Sequence, residues 1–448
     1  MDKILKQAGS LLGGWRTEPA VFFYMFASFL KMPVFQNLLF EKSCWDLYND
    51  DIFCANVTAY HMDTAVQTEA NRLFFYSSIC LILPSIPASL ILGSMADRSR
   101  LRLCLLIPFC ALLISSLVYI LLSILEHSSP YLLLISDVIF GVAGGYTSII
   151  GVAATHSVRG TTGPLRSSRV ARLEASIGLG GTVGYALSGS ALGYTAVFSL
   201  IFVLQLVAVV YILIFIKNDE YQDIDEVDRD RSQSLLRQSL LDPMLSLAKP
   251  RPFRYILIAL FLAFGLELFA FAGISDIQYP FMRYRLAWDD VAYGLFSSLT
   301  FLFGTIGVLF LYPFLRLLLS DVMLGCMGLV LKMCFLIVLS STHSSVVVFS
   351  TTVLFLGSRF VSTAFRTQIA NLVEDEEQGK ISSLVSILEG VTGILASAAL
   401  NNLYPVTLQV WSGICPIIIV VLLAVALHTQ EATDNICSYL QLSALNGK

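Results

Sequence analysis

Long apolar runs separated by short polar segments make up most of the chain. About 20 predominantly apolar residues are needed to cross a bilayer as a helix, so each run is long enough for one membrane span. The pattern predicts about twelve transmembrane helices, over residues 18–40, 73–95, 103–125, 131–155, 170–194, 196–216, 253–277, 291–313, 321–341, 346–368, 380–404 and 406–428. The predicted fold class is therefore an all-α polytopic membrane protein.

The composition supports this class. Of 448 residues, 56% are hydrophobic and 13% are charged, whereas about 25% of the residues in an average soluble domain are charged. The formal net charge of −4 gives no indication of a nucleic-acid partner.

Positive residues are unevenly distributed between the predicted loops. Few of them lie in the loops that follow the odd-numbered spans. Most lie before span one or in the loops that follow the even-numbered spans: Lys3, Lys6, Arg16, Arg98, Arg100, Arg102, Arg159, Arg166, Arg169, Lys249, Arg251 and Arg254. The positive-inside rule then predicts that both termini are cytosolic, which requires an even number of spans.

The longest polar segment, residues 217–252, lies between two sets of about six spans and is acidic first and basic last. It is predicted to be a cytosolic linker between an N-terminal six-helix bundle, residues 1–216, and a C-terminal six-helix bundle, residues 253–430. Residues 431–448 would form a cytosolic tail. Two such bundles are the architecture of one large transporter class, in which the substrate binds near the midplane between the halves.

The first outer loop, residues 41–71, carries two cysteines and a glycosylation sequon. Cys44 and Cys54 lie on a face that is oxidising, which favours a disulfide over two free thiols. Asn56, in Asn-Val-Thr, is a candidate for glycosylation, and an unused sequon is the alternative.

A charged segment follows the second predicted span. It reads Gly93-Ser-Met-Ala-Asp97-Arg98-Ser-Arg100-Leu-Arg102, and it resembles the signature loop of the major facilitator superfamily, Gly-x-x-x-Asp-Arg-x-Gly-x-Arg, with Arg100 in place of a glycine. The resemblance implies two six-helix bundles and a cytosolic gate in which Gly93, Asp97, Arg98 and Arg102 take part. A charge-assisted hydrogen bond made in one conformation alone would shift the transport cycle toward that conformation.

Three further stretches, residues 18–36, 169–181 and 365–405, resemble the proton-coupled folate transporter family and its relatives. The specific motifs are LEASIG and LVEDEEQG, at residues 173–178 and 372–379. The resemblance implies a proton-driven carrier of an organic anion, with Glu174 in proton coupling and Arg366 in coupling or in the substrate path. Gly145 and Leu299 stand where the folate carriers have an aspartate and a histidine, so conjugated steroids and peptidoglycan fragments are implied as cargo alongside folates.

Ionisable residues inside the predicted spans are candidates for the transport path. Charged groups are costly within a bilayer, so they tend to face an aqueous cavity or one another. The candidates are Lys31, Asp137, Glu174, Glu267, Lys332, Arg359, Arg366 and Glu389.

Span five is predicted to have two different faces. Small residues recur every four positions and predict close contact with another helix; they are Ser176, Gly180, Gly184 and Ser188. Glu174 lies about 200° around the helix from this stripe, on the face of Gly181 and Tyr185, and is predicted to point toward the cavity. There it would bind and release protons, the alternative being an ion pair with Arg172.

On span four, a continuous helix would place Asp137 on one face with Gly141, Gly144, Gly145 and Ser148, toward protein or water rather than lipid. A function for Asp137 and simple solvation of the helix end are both open. Tyr146, beside Gly145, is a candidate substrate contact.

Arg359 and Arg366 are seven residues apart, which on a continuous helix places both on one side, where an arginine fork would bind a carboxylate or sulfate. The alternative is an ion pair of Arg366 with Glu174 or with the acidic residues 374–378. Lys31 and Glu389 are predicted to line the substrate cavity.

Glu267 and Lys332 are predicted to form a structural ion pair. The remaining seven cysteines are expected to be small packing residues, and no metal or cofactor site is predicted.

These features favour a secondary active transporter that couples an organic anion to protons, rather than an enzyme. The alternative is a non-transporting membrane receptor or scaffold with a retained transporter fold. An intramembrane hydrolase is not supported, because no metal cluster or nucleophile pair stands out among the spans. Tyr439, in the tail sequence YLQL, fits a motif that sorting adaptors read in an extended conformation, so the plasma membrane and the endolysosomal membrane are both predicted locations.

Overall fold

The computed structural model describes residues 17–97, 101–158, 163–189, 192–216, 254–372, 378–408 and 410–446, and the regular structure of these residues is helical. The first part contains α1 (Glu18–Tyr48), α2 (Asp51–Ala55), α3 (Val57–Met62), α4 (Thr64–Asp97), α5 (Leu101–Ile124), α6 (Leu134–Val142), α7 (Gly145–Val158), α8 (Gly163–Ser188) and α9 (Tyr194–Phe215). The second part contains α10 (Arg254–Leu286), α11 (Asp290–Ile306), α12 (Tyr312–Leu315), α13 (Asp321–Ser341), α14 (Ser345–Ser350), α15 (Phe360–Asn371), α16 (Gln378–Leu408) and α17 (Ile414–Asn446).

Nine segments of the described chain are long and apolar enough to cross a membrane. Three more long helices, α1, α8 and α16, lie at the predicted spans one, five and eleven, so every predicted span corresponds to a described helical segment. These three helices carry Lys31, Glu174 and Glu389. The prediction of an all-α polytopic membrane protein is confirmed.

The fourth span is not one continuous helix. It breaks between α6 and α7, where Gly144 and Gly145 have φ of +101° and +57°, a conformation that glycine adopts without strain. A Cβ on Gly141 would lie 2.5 Å from the carbonyl oxygen of Leu81, so the glycines also let this segment approach α4 closely. The helix is therefore not continuous between Asp137 and Ser148. Asp137 nevertheless faces protein rather than lipid, as predicted, because its side chain is 3% exposed and accepts a hydrogen bond from Ser77 of α4.

The tenth span is also interrupted. A 3-10 helix, Thr351–Gly357, follows α14, and Arg359 lies in the turn before α15. The carbonyl oxygen of Arg359 accepts a hydrogen bond from the amide of Thr363 at 3.4 Å, so the interruption lies before Arg359 and helical spacing holds from there to Arg366. That the two guanidinium groups lie on one side stays a prediction.

The chain groups into two compact units, each described here by itself. The first comprises Met1–Glu226 with Tyr279–Thr305, and the second comprises Val227–Gln278 with Ile306–Lys448. The division into bundles at residues 1–216 and 253–430 stays a prediction, and the linker at 217–252 lies outside the described residues.

In the first unit, α1 packs against α8 and α9, and α5 packs against α9. A Cβ on Gly180 would lie 2.8 Å from the carbonyl oxygen of Phe22, and one on Gly184 would lie 2.7 Å from that of Phe26. The small-residue stripe of span five is therefore confirmed as a close contact, and its partner is α1.

The opposite face of α8 is covered by α11. A Cβ on Gly181 would lie 2.4 Å from the ring of Phe301, and the rings of Tyr185 and Phe301 are 5.3 Å apart. Aromatic side chains of α11 therefore fill the space at these positions, and the prediction that Glu174 itself points toward a cavity stays a prediction. The side chain of Glu174 lies outside the described residues.

The second unit is centred on α13, which packs against α15 and α17. A Cβ on Gly328 would lie 2.6 Å from the carbonyl oxygen of Gly357, so the interface again depends on small residues. Lys332 on α13 forms an ion pair with Glu267 on α10. The predicted structural pair is confirmed.

The predicted outer loop, residues 41–71, is largely helical, because α1 continues to Tyr48 and α4 begins at Thr64. Cys44 and Cys54 form a disulfide with their Cα atoms 5.8 Å apart, which confirms the predicted pairing. Asn56 is exposed between α2 and α3. Lys42 donates hydrogen bonds to the carbonyl oxygens of Leu125 and Glu126 at 2.9 and 3.1 Å, just beyond the end of α5.

The predicted tail is helical rather than extended. α17 runs without a break from Ile414 to Asn446, so the backbone of Tyr439 is part of a helix. Recognition of YLQL in an extended conformation would require local unwinding of α17.

Candidate functional site

The first unit contains a buried ionic group that we call the Lys31 cluster: Lys31, Ser77, Tyr119 and Asp137. The Asp137 carboxylate accepts a hydrogen bond from Ser77 Oγ at 2.6 Å and another from Tyr119 Oη at 2.8 Å. Lys31 Nζ donates to Tyr119 Oη at 2.7 Å and lies 3.5 Å from Asp137 Oδ1. The lysine and the aspartate are thus linked both by charge and through the phenol.

Four helices bring these side chains together, because α1, α4, α5 and α6 contribute one each. The ammonium group of Lys31 also lies over the rings of Phe35 and Tyr119, 5.0 and 4.3 Å from their centroids. An ammonium group is attracted to an aromatic face. The side chain of Asp137 is 3% exposed and that of Lys31 is 27% exposed, so the carboxylate is buried and the lysine side chain is partly exposed.

A second polar group of the first unit is the Asn37 network: Asn37, His61, Tyr194, Tyr279, Arg283 and Asp290. Asn37 Nδ2 donates to Tyr194 Oη at 2.8 Å and to Asp290 Oδ2 at 3.3 Å. Arg283 pairs with Asp290 at 2.7 Å and donates to Asn37 Oδ1 at 3.2 Å. The amide of Asn37 therefore holds both members of the ion pair.

His61 joins the Asn37 network from α3. Its Nε2 is 3.2 Å from Asn37 Oδ1, an acceptor, so Nε2 carries the hydrogen and Nδ1 is the unprotonated nitrogen. Nδ1 is buried and has no hydrogen-bond partner among the described residues. Burial lowers the pKa of His61 well below its usual value, and the positive charge of Arg283 lowers that pKa further. The neutral imidazole is the form that fits this site.

In the second unit, Arg366 on α15 forms an ion pair with Glu389 on α16. Its guanidinium also lies over the ring of Phe264, 6.0 Å from the centroid. The partners considered from sequence, Glu174 and the acidic residues 374–378, have side chains outside the described residues, so those pairings stay predictions. Glu389, which was expected to line the cavity, is the described partner of Arg366.

A further carboxyl group of the second unit is held by neutral donors. Asn401 Nδ2 on α16 donates to Asp276 Oδ2 on α10 at 3.0 Å, and Asn401 also donates to Ser397 Oγ at 2.9 Å. Across the described part of the chain, no group of three or more His, Cys, Asp or Glu side chains has an arrangement that could hold a metal ion.

The predicted gate is described only in part. Gly93 and Asp97 are within the last turns of α4, but their side chains and the whole of Arg98 lie outside the described residues. Arg102 is half-buried near the start of α5. Tyr146, in the first turn of α7, is 46% exposed.

Sequence reasoning identified Lys31 and Asp137 but missed Ser77 and Tyr119, and it missed the Asn37 network. The one available signal was the presence of polar side chains in otherwise apolar spans, which is too common to single out a serine or a tyrosine.

A profile described as Major Facilitator Superfamily matches residues 20–397. The chain belongs to the major facilitator superfamily. This superfamily member is 25% identical over 414 residues to the proton-coupled folate transporter of Rattus norvegicus, covering 88% of this chain and 87% of that protein.

The superfamily member is also 22% identical over 423 residues to the lysosomal proton-coupled steroid conjugate and bile acid symporter of Gallus gallus, covering 88% of this chain and 89% of that protein. Among solved structures, the human organic anion transporter MFSD10 superposes with a TM-score of 0.66 at 16% identity, covering 92% of this chain and 97% of that one. These relatives and structural neighbours are membrane transporters, not enzymes. The Lys31 cluster, the Asn37 network and the Arg366–Glu389 pair are therefore polar groups of a multi-pass membrane transporter.

Proposed function

We propose that the protein is a secondary active transporter that carries an organic anion together with protons by alternating access. The observation that carries this proposal is the Arg366–Glu389 pair, in which the arginine side chain is 54% exposed and the carboxylate 27% exposed. A guanidinium group binds carboxylate or sulfate through two parallel hydrogen bonds. Protonation of the neighbouring carboxylate would release the guanidinium for such an anion.

The names of the relatives support protons and anions as the coupled species. One relative is named a proton-coupled folate transporter and another a proton-coupled steroid conjugate and bile acid symporter. Because Gly145 and Leu299 replace an aspartate and a histidine of the folate carriers, we propose conjugated steroids and muropeptide-like solutes as candidates alongside folates.

We propose roles for the other predicted residues on the same basis. Glu174 takes part in proton coupling, as does Arg366. Lys31, Tyr146 and Arg359 contact the substrate, together with Arg366 and Glu389. The cytosolic gate is formed by Gly93, Asp97, Arg98 and Arg102.

We propose that the transporter resides in the plasma membrane or the endolysosomal membrane, with Asn56 glycosylated on the outer or lumenal side. Its termini are cytosolic in this proposal, and sorting adaptors bind Tyr439 after α17 unwinds locally.

Uptake into vesicles containing the purified protein tests the proposal. Folic acid, a steroid sulfate and a muramyl dipeptide are offered separately, with and without an inward proton gradient. At least one of them is expected to accumulate above its external concentration, and a protonophore should abolish the accumulation. If none accumulates and the residue 217–252 segment captures a protein partner instead, the protein is a receptor or scaffold.

Arg366→Lys tests the site that carries the proposal. Lysine keeps the charge but loses the planar fork, so uptake of an anionic probe is expected to fall much more than uptake of its uncharged ester. Arg316→Lys is the matched control, because Arg316 is also paired, with Asp321 at 3.0 Å, and its side chain is 60% exposed. Equal losses for the two probes in Arg366→Lys would indicate a structural ion pair.

A further inference from the structure

The Lys31 cluster has a charge balance that links a proton to an anion. With the lysine protonated and the aspartate ionised, the cluster has no net charge. The Asp137 carboxylate then accepts hydrogen bonds from two neutral hydroxyl groups, those of Ser77 and Tyr119. The Lys31 ammonium donates one hydrogen bond to Tyr119 Oη and lies 3.5 Å from Asp137 Oδ1, and the lysine side chain is 27% exposed while that of the aspartate is 3% exposed. A ligand therefore has access to the lysine side chain rather than to the carboxylate.

An anion that binds Lys31 would compete with Asp137 for the same positive charge. The cluster would then hold two negative charges and one positive charge in a membrane-spanning region, where an uncompensated charge is costly. Addition of one proton to the Asp137 carboxylate restores neutrality. Anion and proton are each bound better in the presence of the other, which is the thermodynamic requirement for coupling.

The other titratable groups around Asp137 do not offer a competing proton site. Those that face it from neighbouring helices are Lys31 on α1, Cys80 on α4 and Tyr119 on α5. Thiol and phenol groups are ordinarily protonated at pH 5–8. The exchangeable charge at this site is therefore the carboxylate of Asp137.

We propose that Asp137 is a proton-binding residue of the transport cycle, and that its protonation releases Lys31 to bind the carboxylate or sulfate group of the substrate. Tyr119 connects the two residues, donating to Asp137 and accepting from Lys31. The proton forms an O–H bond on the Asp137 carboxylate as the anion arrives, and that bond breaks when the anion leaves and Lys31 pairs with Asp137 again. This inference rests on the proposed symport and adds a second coupling site to it.

Proton binding is tested with the anion present. Infrared difference spectra of the purified full-length protein at pH 5.0, with and without the steroid sulfate, which has no carboxyl group of its own, are expected to contain a protonated-carboxyl band that is lost in Asp137→Asn. The double variant Glu267→Gln, Lys332→Met is the control, because it removes a buried carboxyl group together with its partner and should leave the Asp137 band in place. An Asp137→Asn spectrum identical to that of the wild type would overturn the assignment.

Coupling is tested with the same three probes in vesicles. Asp137→Asn is expected to retain exchange of internal for external anion while losing the accumulation driven by a proton gradient. Lys31→Gln should weaken anion binding about tenfold or more, because one charge-assisted interaction is lost. Lys31→Arg keeps the positive charge and should retain most of the wild-type affinity. Gradient-driven accumulation of wild-type magnitude in Asp137→Asn would refute the coupling role.

Two further outcomes keep this inference separable from the proposed function. If the wild type accumulates none of the probes, the symport proposal fails, and the infrared comparison alone decides whether Asp137 binds a proton. If Asp137→Asn does not fold, the double variant Lys31→Gln, Asp137→Asn is used, because it leaves no buried charge unpaired. Loss of the carboxyl band in that variant supports the inference, and its persistence overturns it.

Discussion

The close contact between α1 and α8 predicts that a single methyl group on Gly184 will destabilise the first unit. A Cβ at this position would lie 2.7 Å from the carbonyl oxygen of Phe26 and 3.0 Å from the amide nitrogen of Leu30, both backbone atoms that have no rotamer to adopt. The two helices would have to separate until the first distance reaches about 3.4 Å, the start of ordinary contact. Overpacking of this kind costs about 1–3 kcal/mol.

Gly151 supplies the matched control. It lies within α7, and a Cβ there would meet nothing within 4 Å. Gly151→Ala should therefore show the helix-propensity gain alone, about 0.5–1 kcal/mol. Gly184 is also within a helix, so the same gain cancels between the two variants. The free energy of unfolding of Gly184→Ala is expected to be about 1–3 kcal/mol lower than that of Gly151→Ala, measured by denaturant unfolding in one detergent. Equal stability of the two variants would refute the packing argument.

Three other predictions follow from the described contacts. The pKa of His61 is lowered in the folded protein, so the unfolded state binds more protons. The free energy of unfolding should therefore fall as the pH drops below about 6.5, by at most about 2 kcal/mol at pH 5. Thermal unfolding of His61→Gln should show a smaller loss of stability on acidification, and a loss equal to that of the wild type would contradict this prediction. Glu267→Gln should lower the free energy of unfolding by about 3–5 kcal/mol, because it leaves Lys332 buried without its partner. The double variant Glu267→Gln, Lys332→Met should lower it much less, and comparable losses for the two variants in denaturant unfolding would argue against the pair. Cys44→Ser should expose Cys54 to alkylation on intact cells and lower stability by about 2–3 kcal/mol, and unchanged labelling would exclude the disulfide.

Features with a local cause were predictable from the sequence. Span positions follow from apolar length, and the stripe of Gly180 and Gly184 follows from helical spacing. Cys44 and Cys54 are the two cysteines of one short segment. Glu267 and Lys332 are opposite charges in spans that otherwise lack partners, so neutralisation alone predicted their pairing.

Features that depend on distant parts of the chain were not predictable in the same way. Arg283 and Asn37 are 246 residues apart in sequence, and only the packing of α10 with α1 brings them together. The pairing of Arg366 with Glu389 joins residues of two separate helices, and no spacing rule gives it. The helix breaks at Gly144 and before Arg359 were also not predicted, because each sequence segment is apolar enough for one continuous span.

The unbroken α17 determines how far the end of the chain stands from the membrane. Its 33 residues, at 1.5 Å each, make a rod about 50 Å long, whereas the hydrocarbon layer is about 30 Å thick. A helix of this length that begins at one edge of the layer and runs along the membrane normal extends about 20 Å beyond the other edge. The backbone of Tyr439, about 38 Å along the helix from Ile414, would then lie about 8 Å beyond the lipid tails, at the level of the headgroups. A substitution along this part of α17 would change that level only if it broke the helix.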